Sequence, residues 1–121
     1  MKRKDKKKRG VKSKKGFNLN GYIFGALRKI WRWHPERKIA LDLAKVHYSH
    51  AKDQFFVCAS CDHFKLRNQL HVDHIKPVID PDKGFTSWDE YISRLFVSHK
   101  YLQVLCKDCH LQKTRAENKR R

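Results

Sequence analysis

Two Cys-x-x-Cys pairs constrain this chain more than any other feature of its sequence. The first is Cys58-Ala59-Ser60-Cys61 and the second is Cys106-Lys107-Asp108-Cys109, and they contain all four cysteines. A Cys-x-x-Cys turn places two thiolates on one side of a zinc ion, so two turns complete a tetrahedral shell. Two disulfides are the alternative, but nothing in the sequence suggests secretion, and such pairs in a reducing compartment indicate a metal. We therefore predict a structural zinc site of Cys58, Cys61, Cys106 and Cys109.

The spacing of the two pairs predicts a substructure between them. The 44 residues that separate Cys61 from Cys106 far exceed the roughly 15–20 residues of a zinc ribbon. They include a short apolar run that ends in Asp73-His74, the loop 80–84, and a helix that Ser87 can cap. A chain of 121 residues benefits from a metal staple because its apolar core is modest.

The remaining pattern predicts a small α+β protein with an N-terminal helical extension. Residues 1–16 carry ten Lys or Arg against one Asp and predict a disordered basic arm. Apolar residues at helical spacing predict two helices within 17–54, the second from Pro35 to His47. Residues 55–121 are predicted to form the zinc-stapled domain.

Short strands are predicted inside that domain. The runs Phe55-Phe56-Val57, Phe64-Lys65-Leu66 and Leu70-His71-Val72 are rich in apolar residues. We predict that the second and third form a hairpin whose second arm delivers Asp73 and His74. A last helix is predicted to begin near Cys109 and His110.

The charge balance favours a polyanionic partner. Lys and Arg total 29 against 12 acidic residues, a formal net charge of +17. Nucleic acid is the commonest partner of so basic a chain, and an anionic membrane surface is the other candidate. No stretch approaches the ~20 apolar residues of a spanning helix, and no apolar signal segment follows the basic start. We therefore expect a nucleic-acid partner and a cytoplasmic protein that is neither secreted nor membrane-spanning.

Particular basic residues are candidates for DNA contacts. Arg28, Lys29 and Arg32 lie on the outer faces of the first predicted helix, and Lys113 and Arg115 lie on the last. A solvated helix face explains such residues as well as phosphate contacts do. For Trp33 the alternatives are core packing and contact with DNA.

The ordered motifs resemble those of the HNH endonuclease family, and they are especially similar to small stand-alone bacteriophage enzymes. The likeness covers about residues 56–117. It consists of a Cys-x-x-Cys, then Val72-Asp73-His74-Ile75-x-Pro77, then Leu102-x-x-Leu105-Cys106-x-x-Cys109-His110-x-x-Lys113-Thr114.

The resemblance implies a ββα-metal fold and hydrolysis of DNA phosphodiesters to 5′-phosphate and 3′-hydroxyl ends. It implies that His74 is the general base and that Asp73 and His110 bind a catalytic divalent ion. Mg²⁺ or Mn²⁺ is expected there, and an Asp/His site also accepts Ni²⁺ or Zn²⁺. Adjacent strand residues point to opposite faces, which suits one metal ligand and one base. A phage enzyme would work in the host cytoplasm, and packaging machinery is a further possible partner.

One position departs from the family pattern. Tyr101 stands where the family commonly has an asparagine that helps to hold the loop of the catalytic histidine. Asn68, His99 and Gln103 are the alternatives for orienting His74. The departure keeps open a rival hypothesis, a non-catalytic zinc-stabilised DNA-binding module or packaging accessory protein.

Overall fold

A computed structural model describes residues 16–47 and 54–120, with only the backbone of Arg120. The described helices are α1 (Leu19–Trp31), α2 (Pro35–Ala44), α3 (Trp88–Leu95) and α4 (Lys107–Arg120). The described strands are β1 (Lys45–Val46), β2 (Phe55–Val57), β3 (Phe64–Leu66), β4 (Leu70–His74) and β5 (Leu102–Cys106). The predicted basic arm lies outside the described residues except for Gly16. No helix in the described part is long and apolar enough to cross a membrane.

The chain divides into two compact units, residues 1–30 and residues 31–121. Most of α1 belongs to the first unit, where the Asn18 side chain accepts a hydrogen bond from the Gly21 N–H at 3.1 Å. No residue of α1 is buried, and Arg28 and Lys29 lie exposed in its last turn. The second unit contains the remaining elements and every cysteine.

The strands form two antiparallel sheets rather than the predicted hairpin. The first sheet has the order β1-β2-β3, and the second pairs β4 with β5. The prediction that Phe64–Leu66 pairs with the strand carrying Asp73 was therefore wrong. A 3₁₀ turn at Arg67–Gln69 separates the two segments, and β3 pairs with β2 instead. Strands β2, β3 and β4 lie where the sequence predicted them, whereas β1 was predicted to be helical.

The β4–β5 pair explains why these two segments of the chain meet. Leu70 and Val72 of β4 are buried, as are four of the five residues of β5. The alternation of β4 places these apolar side chains on one face. In the register of the pair, Asp73 lies opposite Gln103 and His74 lies opposite Leu102. Because Cys106 lies opposite Leu70 and α4 follows it directly, α4 starts beside the first residue of β4, and its Lys113 reaches the carbonyl of His74.

Helix α2 closes the core around this pair. Ala40 is buried with Val72 and Leu102, and Trp31 packs against the same cluster. The helix ends at Ala44 instead of the predicted His47, because Lys45 and Val46 pair with β2. Glu36 accepts hydrogen bonds from the backbone and ring of His99, at 2.8 and 2.9 Å, and so holds the turn before β5.

The long insertion between the cysteine pairs is itself ordered around α3. Ser87 caps this helix, as its spacing from Glu90 predicted, and accepts a hydrogen bond from the Glu90 N–H at 3.1 Å. Arg94 donates hydrogen bonds to the carbonyls of Pro77 and Val78, which ties the preceding loop to the helix. The insertion thereby brings the end of α3, at Leu95, to His74.

Candidate active site

The four cysteines lie together, as their spacing predicted. Their sulfur atoms are all within 4.8 Å of one another, and those of Cys61 and Cys106 are 3.9 Å apart. Four thiolates around a tetrahedral zinc, each at about 2.3 Å, are about 3.8 Å from one another. The cluster could therefore bind zinc or another metal ion with little movement.

The backbone around Cys58 suits a thiolate. Its sulfur is fully buried and accepts a hydrogen bond from the Cys106 N–H at 3.3 Å. Burial raises the pKa of Cys58, but backbone N–H groups of Cys61, Cys106 and Ser60 outweigh it and lower that pKa to about 6. The hydrogen bond with the Cys106 thiol is the main cause that raises the pKa of Cys109 to about 12. Four thiolates can coexist here only around a cation, which is the behaviour of a metal site.

A second group of polar side chains forms where β4 meets α4. One carboxylate oxygen of Asp73, Oδ1, lies 3.6 Å from Nε2 of His110. The Asp73 side chain is 14% exposed and that of His110 is 33% exposed, so the pair is partly shielded yet accessible. The cysteine cluster positions this pair because Cys109 immediately precedes His110 in the first turns of α4.

The other Asp73 oxygen is already occupied by protein donors. Oδ2 accepts a hydrogen bond from Nε2 of Gln103 at 3.2 Å and lies 3.1 Å from the Lys113 ammonium. Lys113 also contacts the Glu117 carboxylate one turn further along α4. Burial lowers the pKa of Lys113, but the contacts with Glu117 and Asp73 outweigh it and the pKa is raised. Asp73 is therefore held through Oδ2, and Oδ1 is left facing His110.

His74 lies on the opposite side of β4 from this pair, as strand alternation predicted. Its Nε2 is 2.8 Å from the carbonyl oxygen of Leu95. A carbonyl only accepts hydrogen bonds, so Nε2 carries the proton and Nδ1 keeps its lone pair. The Trp31 ring lies against the imidazole with centroids 4.7 Å apart. Burial is the main cause that lowers the pKa of His74, which favours the neutral ring.

Hydrogen bonds to backbone carbonyls hold the end of β4. The carbonyl of Tyr101 accepts a hydrogen bond from the Ile75 N–H at 3.0 Å. The Lys113 ammonium donates to the carbonyl of His74, also at 3.0 Å. Neither Asn68 nor His99 takes the role proposed from sequence, since Asn68 is exposed in a turn and His99 binds Glu36. Gln103 holds Asp73 instead of His74.

The His71 ring lies beside that of His110. It is exposed, and the centroids of the two rings are 4.6 Å apart. Burial is the largest cause that lowers its pKa, and the charges of His110, Lys107 and Arg67 act in the same direction. His71 lies two residues before Asp73 in β4, and so on the same face of the strand.

The residues predicted to contact DNA have different surroundings. Arg28, Lys29, Arg32 and Arg115 are exposed, which a phosphate contact requires. Lys113 instead points its ammonium at Asp73, Glu117 and the carbonyl of His74. Trp33 is 83% exposed and does not belong to the core, whereas Trp31 does.

Three contributors to this site were not foreseen from sequence. They are the carbonyl of Leu95, the ring of Trp31 as a partner of His74, and Glu117. Only the position of Glu117, four residues after Lys113, carried a local signal, since residues at this spacing meet on a helix.

Comparisons with protein-family models, with curated proteins and with solved structures found no match.

We predict that Lys113 positions the site, with Arg115 on the same helix as its control. Lys113→Met removes the donor to Asp73 and to the carbonyl of His74, and we expect a loss of about 1 kcal/mol in the free energy of unfolding. Arg115→Met should leave the unfolding free energy unchanged and lower only the affinity for DNA. Urea denaturation and DNA binding at two salt concentrations measure both effects. Equal stability of the two variants would contradict the positioning role.

Proposed function

We propose that this chain is a metal-dependent HNH endonuclease that hydrolyses DNA to 5′-phosphate and 3′-hydroxyl ends. The observation that carries the proposal is that Asp73 and His74 lie on opposite faces of β4 and have separate partners. On one face Asp73 and His110 present ligand atoms 3.6 Å apart, and on the other the Leu95 carbonyl fixes the His74 ring. A general base and a metal pair at the same strand end are the parts that phosphodiester hydrolysis needs.

His74 is the general base in this proposal. Its Nδ1 takes a proton from a water molecule as the water oxygen attacks phosphorus. The bond between phosphorus and the 3′ oxygen then breaks, the phosphate stays on the 5′ side, and the 3′ oxygen takes up a proton. Trp31 and the Leu95 carbonyl keep the ring in one orientation and one tautomer, so that Nδ1 stays available to accept the proton.

Asp73 and His110 would hold the catalytic divalent ion. When bound, such an ion neutralises phosphate charge and stabilises the departing oxygen. Gln103 and Lys113 leave Asp73 one free oxygen, Oδ1, for this purpose. A carboxylate oxygen suits Mg²⁺ or Mn²⁺, which the proposal favours, and an imidazole suits Ni²⁺ or Zn²⁺, which are the alternatives.

The cysteine cluster is proposed to bind zinc as a structural ion. All four thiols belong to it, which leaves His110 free to face Asp73. Strands β4 and β5 followed directly by α4 give the ββα order that the family uses. The net charge of +17 supports DNA as the substrate. A phage origin, action in the host cytoplasm and work beside packaging machinery remain part of the hypothesis.

Nicking of supercoiled plasmid tests the proposed activity. Zinc-loaded protein, freed of other metals by dialysis, should leave the plasmid intact and should nick it when Mg²⁺ or Mn²⁺ is added. Nicking that depends on added Mg²⁺ or Mn²⁺ distinguishes the catalytic ion from the structural zinc. A chelator would not make this distinction, because it would also remove the zinc. Intact plasmid under every metal condition, with a folded protein, would overturn the proposal.

A second function, a DNA-binding module without catalysis, is favoured by one observation. The Lys113 ammonium lies 3.1 Å from Asp73 and already supplies a positive charge beside the proposed metal ligand. A module of this kind should retard DNA in gels, with an affinity that falls steeply with salt, and leave it uncut.

A further inference from the structure

A shallow cleft opens beside His74, on the side of β4 away from Asp73. Its volume is about 120 Å³, and its walls include His74, Lys76, Pro77, Val97 and Tyr101. Pockets that enclose a drug-sized ligand have volumes of about 300–1,000 Å³. This cleft is too small for a whole nucleotide and would take one face of a sugar or a base.

Most polar groups in the cleft wall already have partners inside the protein. The Arg94 guanidinium donates to the carbonyls of Pro77 and Val78, and the Ser93 hydroxyl donates to the carbonyl of Glu90. Nε2 of His74 donates to the carbonyl of Leu95. The floor of the cleft is therefore an apolar surface that offers few hydrogen bonds to a ligand.

Two polar groups at the cleft are uncommitted. The structure gives neither the Lys76 ammonium nor the Tyr101 hydroxyl a hydrogen-bond or ion-pair partner among the residues it describes. Tyr101 is 57% exposed, so much of its ring is open to a ligand, and Tyr is enriched at binding interfaces because it joins an apolar ring to a polar hydroxyl. A cation and an aromatic ring around an apolar floor match a sugar joined to a phosphate.

The backbone and side chain of Tyr101 have separate tasks. Its carbonyl closes the loop after β4 by accepting the hydrogen bond from the Ile75 N–H. Its N–H donates to the carbonyl of Ser98 at 2.9 Å. The side chain takes no part in these bonds and is free to contact a ligand. The residue that departs from the family pattern thus keeps a structural role through its backbone alone.

We propose that this cleft binds the deoxyribose next to the phosphate that is cleaved. The Tyr101 ring packs on the apolar face of the sugar, and Lys76 pairs with its phosphate. This inference rests on the proposed nuclease function, because it places the substrate sugar beside the base His74. It adds a substrate contact that the sequence motifs do not assign.

Variants of Tyr101 test the cleft, with Ile92 as the matched control. Ile92 is 42% exposed on α3 and does not line the cleft. We expect Tyr101→Ala to raise the half-saturating DNA concentration about three- to tenfold, and Tyr101→Phe to keep the wild-type value. Ile92→Ala should match the wild type. Binding by fluorescence anisotropy and single-turnover nicking are measured on the same samples, with thermal unfolding to establish that each variant is folded.

The outcomes separate the cleft from the nuclease proposal. If the wild type nicks DNA and Tyr101→Ala binds and nicks like Ile92→Ala, the cleft proposal alone fails. If no protein nicks DNA, the proposed function fails, and a weakened affinity of Tyr101→Ala still marks the cleft as a contact. If Tyr101→Ala loses the same factor in affinity for duplex and for single-stranded DNA, the result supports a bound sugar. A penalty confined to single strands would indicate base stacking and overturn the deoxyribose assignment.

Discussion

Replacing Cys58 with serine is expected to unfold the second compact unit of this protein at room temperature. Cys58 is fully buried, and it lies in the core cluster with Phe56 and Leu105. Structural zinc contributes about 10–16 kcal/mol of apparent binding free energy in small zinc domains. A domain of this size has a net stability of about 5–15 kcal/mol. Loss of one zinc-binding thiolate therefore removes a large share of the free energy of unfolding.

The control for this prediction is Ala59→Ser, which introduces the same side chain into the same turn. Ala59 is exposed, so its replacement should leave the unfolding temperature and the metal content unchanged. Circular dichroism gives the unfolding temperature, and metal analysis should find one zinc per wild-type chain. A Cys58→Ser variant that unfolds at the wild-type temperature, or a folded wild type without metal, would contradict the structural zinc site.

Replacing His74 is expected to have the largest effect on activity. A positioned general base contributes about 10²–10⁴-fold to the rate of a hydrolytic reaction. His74→Gln is the better variant, since its amide can still donate to the Leu95 carbonyl and fill part of the space beside Trp31. His74→Ala would instead leave a cavity there and lower stability as well.

Two measurements keep this prediction distinct from a folding defect. His63→Ala replaces an exposed histidine elsewhere in the unit and should nick DNA at the wild-type rate. His74→Gln should also keep its affinity for Mn²⁺, because Asp73 and His110 are untouched. A loss of Mn²⁺ binding in His74→Gln would show that His74 belongs to the metal pair and would contradict its role as a separate base.

The elements of this fold could be predicted from sequence better than their pairing. Short apolar runs located β2, β3 and β4, because alternation and strand-forming residues are local signals. The pairing of β4 with β5 joins segments separated by a long insertion, and no local signal specifies that register. The three-residue turn between β3 and β4 was predicted to close a hairpin, but these two strands belong to different sheets.

In the candidate site, too, local patterns could be predicted from sequence and contacts between distant segments could not. Motif spacing was enough to predict that the four thiols lie together, and strand alternation predicted that Asp73 and His74 face opposite ways. The carbonyl that orients His74 belongs to Leu95, and any residue can supply a carbonyl. Its position depends on how α3 packs, so the side-chain sequence could not identify it.

Single-turnover nicking by wild type and His74→Gln tests the central claim, that His74 is a base separate from the metal pair Asp73 and His110. Both proteins are folded and zinc-loaded, and each is present at a concentration that saturates the supercoiled plasmid. Mn²⁺ is added to start the reaction. We predict that the wild type nicks the plasmid and that His74→Gln is at least about a hundredfold slower. Equal rates, or no nicking by the wild type, would contradict the claim.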